Sequence, residues 1–150
     1  MKPPKTQADK DPDVLAFGDF LEAFRGLEKA LAADLKRRTG MPHKWFDALI
    51  RIAMESKKAI PMAELCAGTG LTSGGATRLV DRLEEVGYVK RVGLPSDRRV
   101  QLAALTEKGA EALDAAAVVH GENIRQHFTG KLSGEELELL LGLLRRIQEA

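Results

Sequence analysis

Two arginines beside one aspartate are the residues of this chain that first suggest binding of a polyanion. Asp97, Arg98 and Arg99 follow Pro95 and Ser96, which are typical of a turn because proline fixes φ and serine bonds to nearby backbone. The turn presents two cations against one carboxylate, and a guanidinium suits phosphate oxygens or the narrow minor groove of A·T-rich DNA. The alternative is that these charges only keep a surface turn in solution.

A β-hairpin is predicted to carry this turn. Val100, Leu102 and Ala104 recur at every second position, which is the period of a strand with one buried face. Residues 88–92 form a second short run rich in β-formers. Thr106 can accept a backbone N–H at the start of the helix that follows. The sequence therefore predicts a hairpin with a cationic tip.

A helix-turn-helix pattern precedes the hairpin. A short helix at residues 62–67 is followed by a turn at residues 68–70, and Thr72 caps a further helix that stops at Gly87. A glycine-containing turn of this length sets two helices at a steep angle. Because a basic hairpin follows at once, the pattern indicates a winged helix-turn-helix.

The exposed N-terminal half of the helix after Thr72 can reach base edges. Arg78 is the side chain there that can make a bidentate contact to guanine, whereas Arg82, one turn on, takes a phosphate or pairs with Asp81. The paired glycines let backbone amides near the helix start approach phosphate. The candidate contact residues on this helix are Ser73, Gly74, Gly75, Thr77, Arg78 and Arg82.

Long helices flank the helix-turn-helix. Asp11 and Pro12 open a first helix that ends near Gly40, and Pro42 opens a second. Ser133 starts the last helix with a capping box. That helix is apolar around most of its circumference, so we expect it to pack against the first helix and a second copy of the chain. The predicted organisation is a disordered tail at 1–10, a helical dimerisation domain at 11–40 and 105–150, and a winged helix-turn-helix domain at 41–104.

Length and composition are typical of a soluble globular protein with one domain, or with one domain and helical extensions. The 150 residues are 44% hydrophobic and 30% charged. No apolar run is long enough to span a membrane and no signal-peptide pattern follows Met1, so we expect a cytoplasmic protein. Residues 42–104 hold 10 Lys/Arg against 7 Asp/Glu, whereas residues 105–150 hold 5 against 8. The positive excess lies with the hairpin, which modestly supports phosphate contact.

Motifs for catalysis and metal binding do not occur in the sequence. It has no nucleophile elbow, HExxH motif or phosphate loop, so no catalytic residue and no cofactor are predicted. Cys66 is the one cysteine, which excludes an internal disulfide and a cysteine zinc cage. We expect it to be buried and inert rather than a redox sensor. His120 and His127 are two turns apart on one helix and His43 is remote in sequence, so no metal site is predicted.

These features together resemble the MarR (multiple antibiotic resistance regulator) family of bacterial winged-helix transcription factors. The family's signature is Asp-x-Arg, five residues, then Leu-Thr-x-x-Gly, and it occurs here without a gap from Asp97 to Gly109. Upstream, Leu71-Thr72, residues 77–84 and residues 87–89 also match. The resemblance covers roughly residues 15–148. The predicted fold is mainly α-helical with a small β-hairpin wing, and it combines a winged helix-turn-helix with an α-helical dimerisation domain.

The resemblance implies a homodimer whose first and last two helices pair, with one winged helix per subunit facing double-stranded DNA. It places the recognition helix in the major groove and the wing in the minor groove. Arg99 matches the signature arginine, and Asp97 would hold it by a charge-assisted bond. The predicted function is a ligand-responsive repressor bound to a pseudo-palindromic operator. The alternative is a winged helix used as a protein-interaction module.

Small-molecule control is common in the family, with ligands lodged between the dimerisation domain and the winged helix. Seven apolar or aromatic residues could line such a crevice, and they could equally fill the core, because periodicity does not distinguish the two. They are Phe17, Phe20, Phe24, Met41, His43, Trp45 and Phe46.

Overall fold

The computed structural model describes residues 10–94 and 96–149, and of Arg98 only the backbone. The tail predicted at residues 1–10 therefore lies outside the described residues except for Lys10, as does Pro95 of the predicted turn. The longer elements are α1 (Pro12–Thr39), α2 (His43–Met54), β1 (Ala59–Pro61), α3 (Met62–Thr69), α4 (Ser73–Glu85), β2 (Val89–Leu94), β3 (Asp97–Leu105), α5 (Glu107–His127) and α6 (Gly134–Gln148). The predicted fold class, mainly α with a small β-hairpin wing, is confirmed.

The predicted helix starts are confirmed by their hydrogen bonds. Each capping side chain accepts backbone N–H groups that the first helical turn leaves without a partner. The bonds run to Asp11 from Asp13 and Val14, to Thr72 from Gly75, to Thr106 from Gly109, and to Ser133 from Glu136. Ser133 and Glu136 complete the predicted capping box.

The predicted helix-turn-helix has one different boundary. Gly68 and Thr69, expected in the turn, are the last residues of α3, and Gly70 alone takes the left-handed conformation, at φ 64°. Gly87 does the same after α4, at φ 79°. Glycine adopts this conformation without a Cβ clash, which explains why the helices end where they do.

The wing belongs to a three-stranded antiparallel sheet in the order β1-β3-β2. β2 pairs with β3 from Val89↔Leu105 to Leu94↔Asp97, as the hairpin prediction requires. The predicted buried face of β3 is wrong in part, because Ala103 is fully buried in the core whereas Val100 and Leu102 are only half-buried. β1 was not predicted. This strand is three residues long and pairs Ala59 with Ala104, so it is too short to show the alternation that identifies a strand.

The described chain forms two compact units, which divide it between residues 33 and 34 and between residues 123 and 124. The unit 34–123 holds the helix-turn-helix, the sheet and a continuous core. Leu65 of α3 and Leu83 of α4 are fully buried in that core with Leu49 and Ile52 of α2. The predicted division into a dimerisation domain and a winged helix-turn-helix domain draws other boundaries and stays a prediction.

The other unit, 1–33 with 124–150, leaves apolar side chains in contact with solvent. None of the described residues of α6 is buried. The large exposed hydrophobic residues of this unit are Val14, Leu15, Phe17, Phe20 and Phe24 on α1, and Leu139, Leu141, Leu143 and Ile147 on α6. So many exposed large apolar residues on two helices are typical of a surface that another protein surface covers.

Candidate nucleic-acid interface

Helix α4 presents its first turns to solvent. Its buried positions lie on one face: Ala76, Leu79, Val80 and Leu83. The sequence-predicted contact residues lie elsewhere on the helix. Ser73, Gly74, Thr77, Arg78 and Arg82 are exposed, and Gly75 is half-buried.

The arginines of α4 remain available for an external partner. Neither Arg78 nor Arg82 forms an ion pair with the described part of the chain. The sequence left open whether Arg82 pairs with Asp81, and the structure instead joins Asp81 to Arg91, at 2.5 Å between Oδ1 and Nη2. The Thr77 hydroxyl donates to its own helix, so Thr77 offers a partner its oxygen lone pairs rather than its proton.

The wing ends in an arginine held by its neighbouring aspartate. Asp97 Oδ1 accepts from the Arg99 backbone N at 3.0 Å and from Arg99 Nε at 3.3 Å. The Arg99 side chain is nevertheless 93% exposed, so its two Nη groups point to solvent rather than to the protein body. The Arg98 side chain is outside the description.

A further arginine, which the sequence reasoning missed, joins the wing to α4. Arg91 of β2 bonds Asp81 and Glu84 of α4 through its two Nη atoms, and its backbone N donates to Glu84 Oε1 at 3.0 Å. Its Nη2 also lies 3.5 Å from the Thr77 carbonyl oxygen. The hydrogen bond to Asp81, with that to Glu84, holds the pKa of Arg91 above its ordinary value despite the opposing effect of burial.

Beside the helix-turn-helix, the unit 34–123 contains a cleft of about 500 Å³. Its walls are Arg38, Thr39, Gly40, Met41, Trp45, Tyr88, Ala112, Ala115, Ala116 and Val119. Arg38 is already bound, at 2.5 Å to Glu122 and 3.0 Å to Asn123. Apart from Arg38, the walls are mainly apolar and aromatic residues. The charge of Arg38 is balanced by Glu122.

The structure separates the seven predicted pocket residues into three groups. Met41 and Trp45 line the cleft just described. Phe46 is buried in the core, and the His43 ring lies against His120. The other three, Phe17, Phe20 and Phe24, are exposed on the other unit. A pocket that unites all seven stays a prediction.

The pairing of His43 with His120 could not be read from the sequence, because the two residues are far apart in it. Their ring centroids are 5.4 Å apart, and Phe46 lies 4.7 Å from the His120 ring. Burial, and then the nearby His43, lowers the pKa of His120, while Asp47 acts in the opposite sense. The folded protein therefore favours the neutral imidazole at position 120.

The remaining predictions from the sequence concern metal ligands, Cys66 and membrane-spanning helices. No three His, Cys, Asp or Glu side chains among them come together as a metal ion would require. Cys66 is half-buried rather than fully buried as expected, and its thiol donates to the Leu71 carbonyl oxygen at 3.1 Å. Among the described helices, none has the length and apolar character needed to cross a membrane.

The chain is similar in sequence and in structure to known transcriptional regulators. The sequence model of the MarR family matches residues 39–100. The transcriptional regulator HosA of Escherichia coli O111:H- is 34% identical over 98 residues, which cover 65% of this chain and 72% of that protein. The multiple antibiotic resistance protein MarR of Escherichia coli K12 is 34% identical over 74 residues, covering 49% of this chain and 51% of that one.

A solved structure extends the similarity to almost the whole chain. It is the crystal structure of Sco3205, a MarR family transcriptional regulator from Streptomyces coelicolor, in complex with DNA. The similarity has a TM-score of 0.81 and 32% sequence identity, over 99% of this chain and 91% of that one.

Proposed function

Because the chain belongs to the MarR family of transcriptional regulators, we propose that it binds a pseudo-palindromic duplex operator as a homodimer and represses transcription in response to a ligand. The observation that carries the DNA-binding part is Arg99, whose exposed guanidinium is steadied by Asp97 at the end of the wing. Sco3205, similar over nearly all its length, is known in complex with DNA.

In this proposal α4 reads the major groove and the wing enters the minor groove. Arg78, exposed and without an ion pair in the described chain, has the bidentate geometry that guanine O6 and N7 require. Arg99 suits the enhanced negative potential of a narrow A·T-rich minor groove. Arg82, one turn beyond Arg78, is placed for a phosphate.

Substitution of the wing arginine tests the DNA contact. A binding site is first selected from a random duplex library, and affinity is then measured by fluorescence anisotropy. Arg99→Ala should weaken binding by about tenfold or more, the effect of losing one groove-reading arginine. Arg37→Ala removes an exposed arginine that pairs with Asp34 on α1 and serves as the matched control. Equal affinities of Arg99→Ala and the wild type would refute the wing assignment.

A salt titration separates DNA binding from the alternative, a protein-interaction module. Phosphate contacts release counterions, so the operator affinity of the wild type should fall steeply between about 50 and 200 mM salt. Binding that stays flat over this range, or no selection of any duplex, would favour the alternative.

The exposed apolar side chains of α1 and α6 support the homodimer. Leu139, on α6, is 64% exposed in the single chain, and an intersubunit surface would remove it from water at a gain of about 1–2 kcal/mol. Leu139→Lys should convert the dimer to a monomer in analytical ultracentrifugation, whereas the neighbouring change Glu138→Gln should not. A dimer that survives Leu139→Lys would exclude this face of α6 from the interface.

The apolar cleft supports the ligand-responsive part. Its volume, about 500 Å³, lies in the usual range of small-molecule sites, and the charge balance of Arg38 favours a ligand of low charge. Trp45 lines the cleft and is the one tryptophan of the chain, so its fluorescence reports occupancy directly. A ligand that releases the operator without changing Trp45 emission would place the effector site elsewhere.

A further inference from the structure

One guanidinium links the two elements that are proposed to contact DNA. Arg91 projects from β2, at the base of the wing, and its side chain is only 26% exposed. It bonds Asp81 and Glu84, which lie three residues apart on α4 and therefore on one face of that helix. The link thus joins the wing to the helix that carries Arg78.

The bonds to Asp81 and Glu84 hold the backbone of β2 at Arg91 as well as the Arg91 side chain. Glu84 Oε1 accepts from the Arg91 backbone N, while Glu84 Oε2 and Asp81 Oδ1 accept from its guanidinium. Arg91 Nη2 also approaches the carbonyl oxygen of Thr77, one turn earlier on α4. Since β2 is held at its backbone and along two turns of helix, a rotation of the wing against α4 would break several bonds together.

The position of Arg91 near the base of the wing amplifies its effect at the tip. Leu94, at the far end of β2, is three residues on, or about 10 Å at the rise of a β-strand. A swing of about 10° at Arg91 would displace the tip by about 2 Å on that strand length. Arg99 would then be displaced from its contact in the groove, because such a contact requires the side chain to be placed to within a fraction of that distance.

The charges argue that Arg91 acts on the protein and not on DNA. Two carboxylates already bind its guanidinium, so the cluster carries a net charge of −1, which phosphate repels. By their charge alone, these carboxylates weaken DNA binding. They can strengthen it only through the geometry that they impose on Arg91 and the wing. The raised pKa of Arg91 agrees with a cation committed to internal partners.

We propose that Arg91, held by Asp81 and Glu84, is a positioning residue for DNA recognition that sets the wing against α4 so that Arg78 and Arg99 reach adjacent grooves. The proposal rests on the proposed DNA binding.

The decisive variant is Asp81→Asn, because geometry and charge predict opposite signs. If charge alone mattered, removing a carboxylate from a DNA-facing helix would tighten binding. Positioning instead predicts a loss of about three- to thirty-fold, the usual range for breaking one member of a coupled network. Affinity is measured by anisotropy on the selected duplex, at a temperature where melting curves show every variant folded. Tighter or unchanged binding by Asp81→Asn would overturn the proposal.

Two further measurements test whether Arg91 contacts phosphate directly and whether it acts through Asp81. Arg91→Gln should lower affinity while leaving the slope of log affinity against log salt unchanged, whereas Arg82→Gln, the control on α4, should reduce the slope by about one contact. The double variant Asp81→Asn with Arg91→Gln should lose no more affinity than Arg91→Gln alone. A reduced slope for Arg91→Gln, or additive losses in the double variant, would overturn the positioning role.

The outcomes also separate this proposal from the proposed function. A wild type without salt-dependent duplex binding refutes DNA recognition itself, whereas a wild type that binds normally beside a tighter Asp81→Asn variant refutes only the positioning role. If Arg91→Gln does not fold, Arg91→Lys replaces it, because a lysine keeps the charge but cannot bind two carboxylates in the same fork geometry.

Discussion

A methyl group at position 109 tests how closely α5 packs on the base of the wing. A Cβ built on Gly109 would lie 2.0 Å from the Tyr88 carbonyl oxygen and 2.8 Å from its carbon. Ordinary contact begins at 3.4 Å, so one backbone segment would have to retreat by about 1.4 Å, the difference between these distances, against a packed interior.

The retreat also breaks a hydrogen bond. The Tyr88 oxygen accepts from Thr106 N at 3.1 Å, and a shift of that size takes this bond beyond bonding distance. Overpacking costs about 1–3 kcal/mol, the bond about 1 kcal/mol, and alanine returns about 1 kcal/mol of helix propensity. Gly109→Ala should therefore lower the free energy of unfolding by about 1–3 kcal/mol.

Calorimetry or circular dichroism measures this loss as a fall in melting temperature of about 3–12 °C. Gly74→Ala is the matched control within the same unit, because its Cβ would meet only the flexible end of Arg78, at 3.8 Å. It should melt at or slightly above the wild-type temperature. A Gly109→Ala protein that melts within about 2 °C of wild type would refute the close approach of α5 to Tyr88.

Three further changes test individual contacts. Thr72→Ala should cost about 1 kcal/mol in urea unfolding by removing the cap of α4, and Thr72→Ser should restore most of it; equal stability of all three proteins would contradict the cap. Ser133→Ala should cost about as much by opening the capping box of α6, and an unchanged unfolding midpoint would contradict it. Burial and then the nearby His43 lower the pKa of His120, against the opposing effect of Asp47, so the unfolded chain binds more protons and stability should fall as pH drops through about 6.5 and below. His120→Gln should reduce that fall, and an unaltered pH profile would show that His120 is not its source.

The helices and the wing could be predicted because their signals are local. A capping side chain such as Thr72 bonds within three residues, and the alternation of Val100, Leu102 and Ala104 lies within five consecutive residues. β1 could not be predicted, because a strand as short as Ala59–Pro61 exists only through its pairing with β3.

The candidate site was predictable only where a side chain faces solvent. Arg78 and Arg99 follow from their positions on a helix face and at a hairpin tip. The partner of Asp81 could not be predicted, because Arg82 and Arg91 are both near enough in sequence to pair with it. Only the fold selects Arg91. Phe24 illustrates the same limit, since helical periodicity is identical for a core, an interface and a pocket.

Tyr88 connects the cleft with the strand that is proposed to position the wing. It lines the cleft, its carbonyl oxygen accepts from the Thr106 backbone N just before α5, and Val89 after it begins the strand that carries Arg91. Under the two proposals, a ligand that shifts Tyr88 acts on that strand. Such a ligand changes operator affinity only if it binds the shifted and unshifted arrangements with different affinity. The ligand response should then be smaller in Arg91→Gln, since a wing already released from α4 has less positioning to lose.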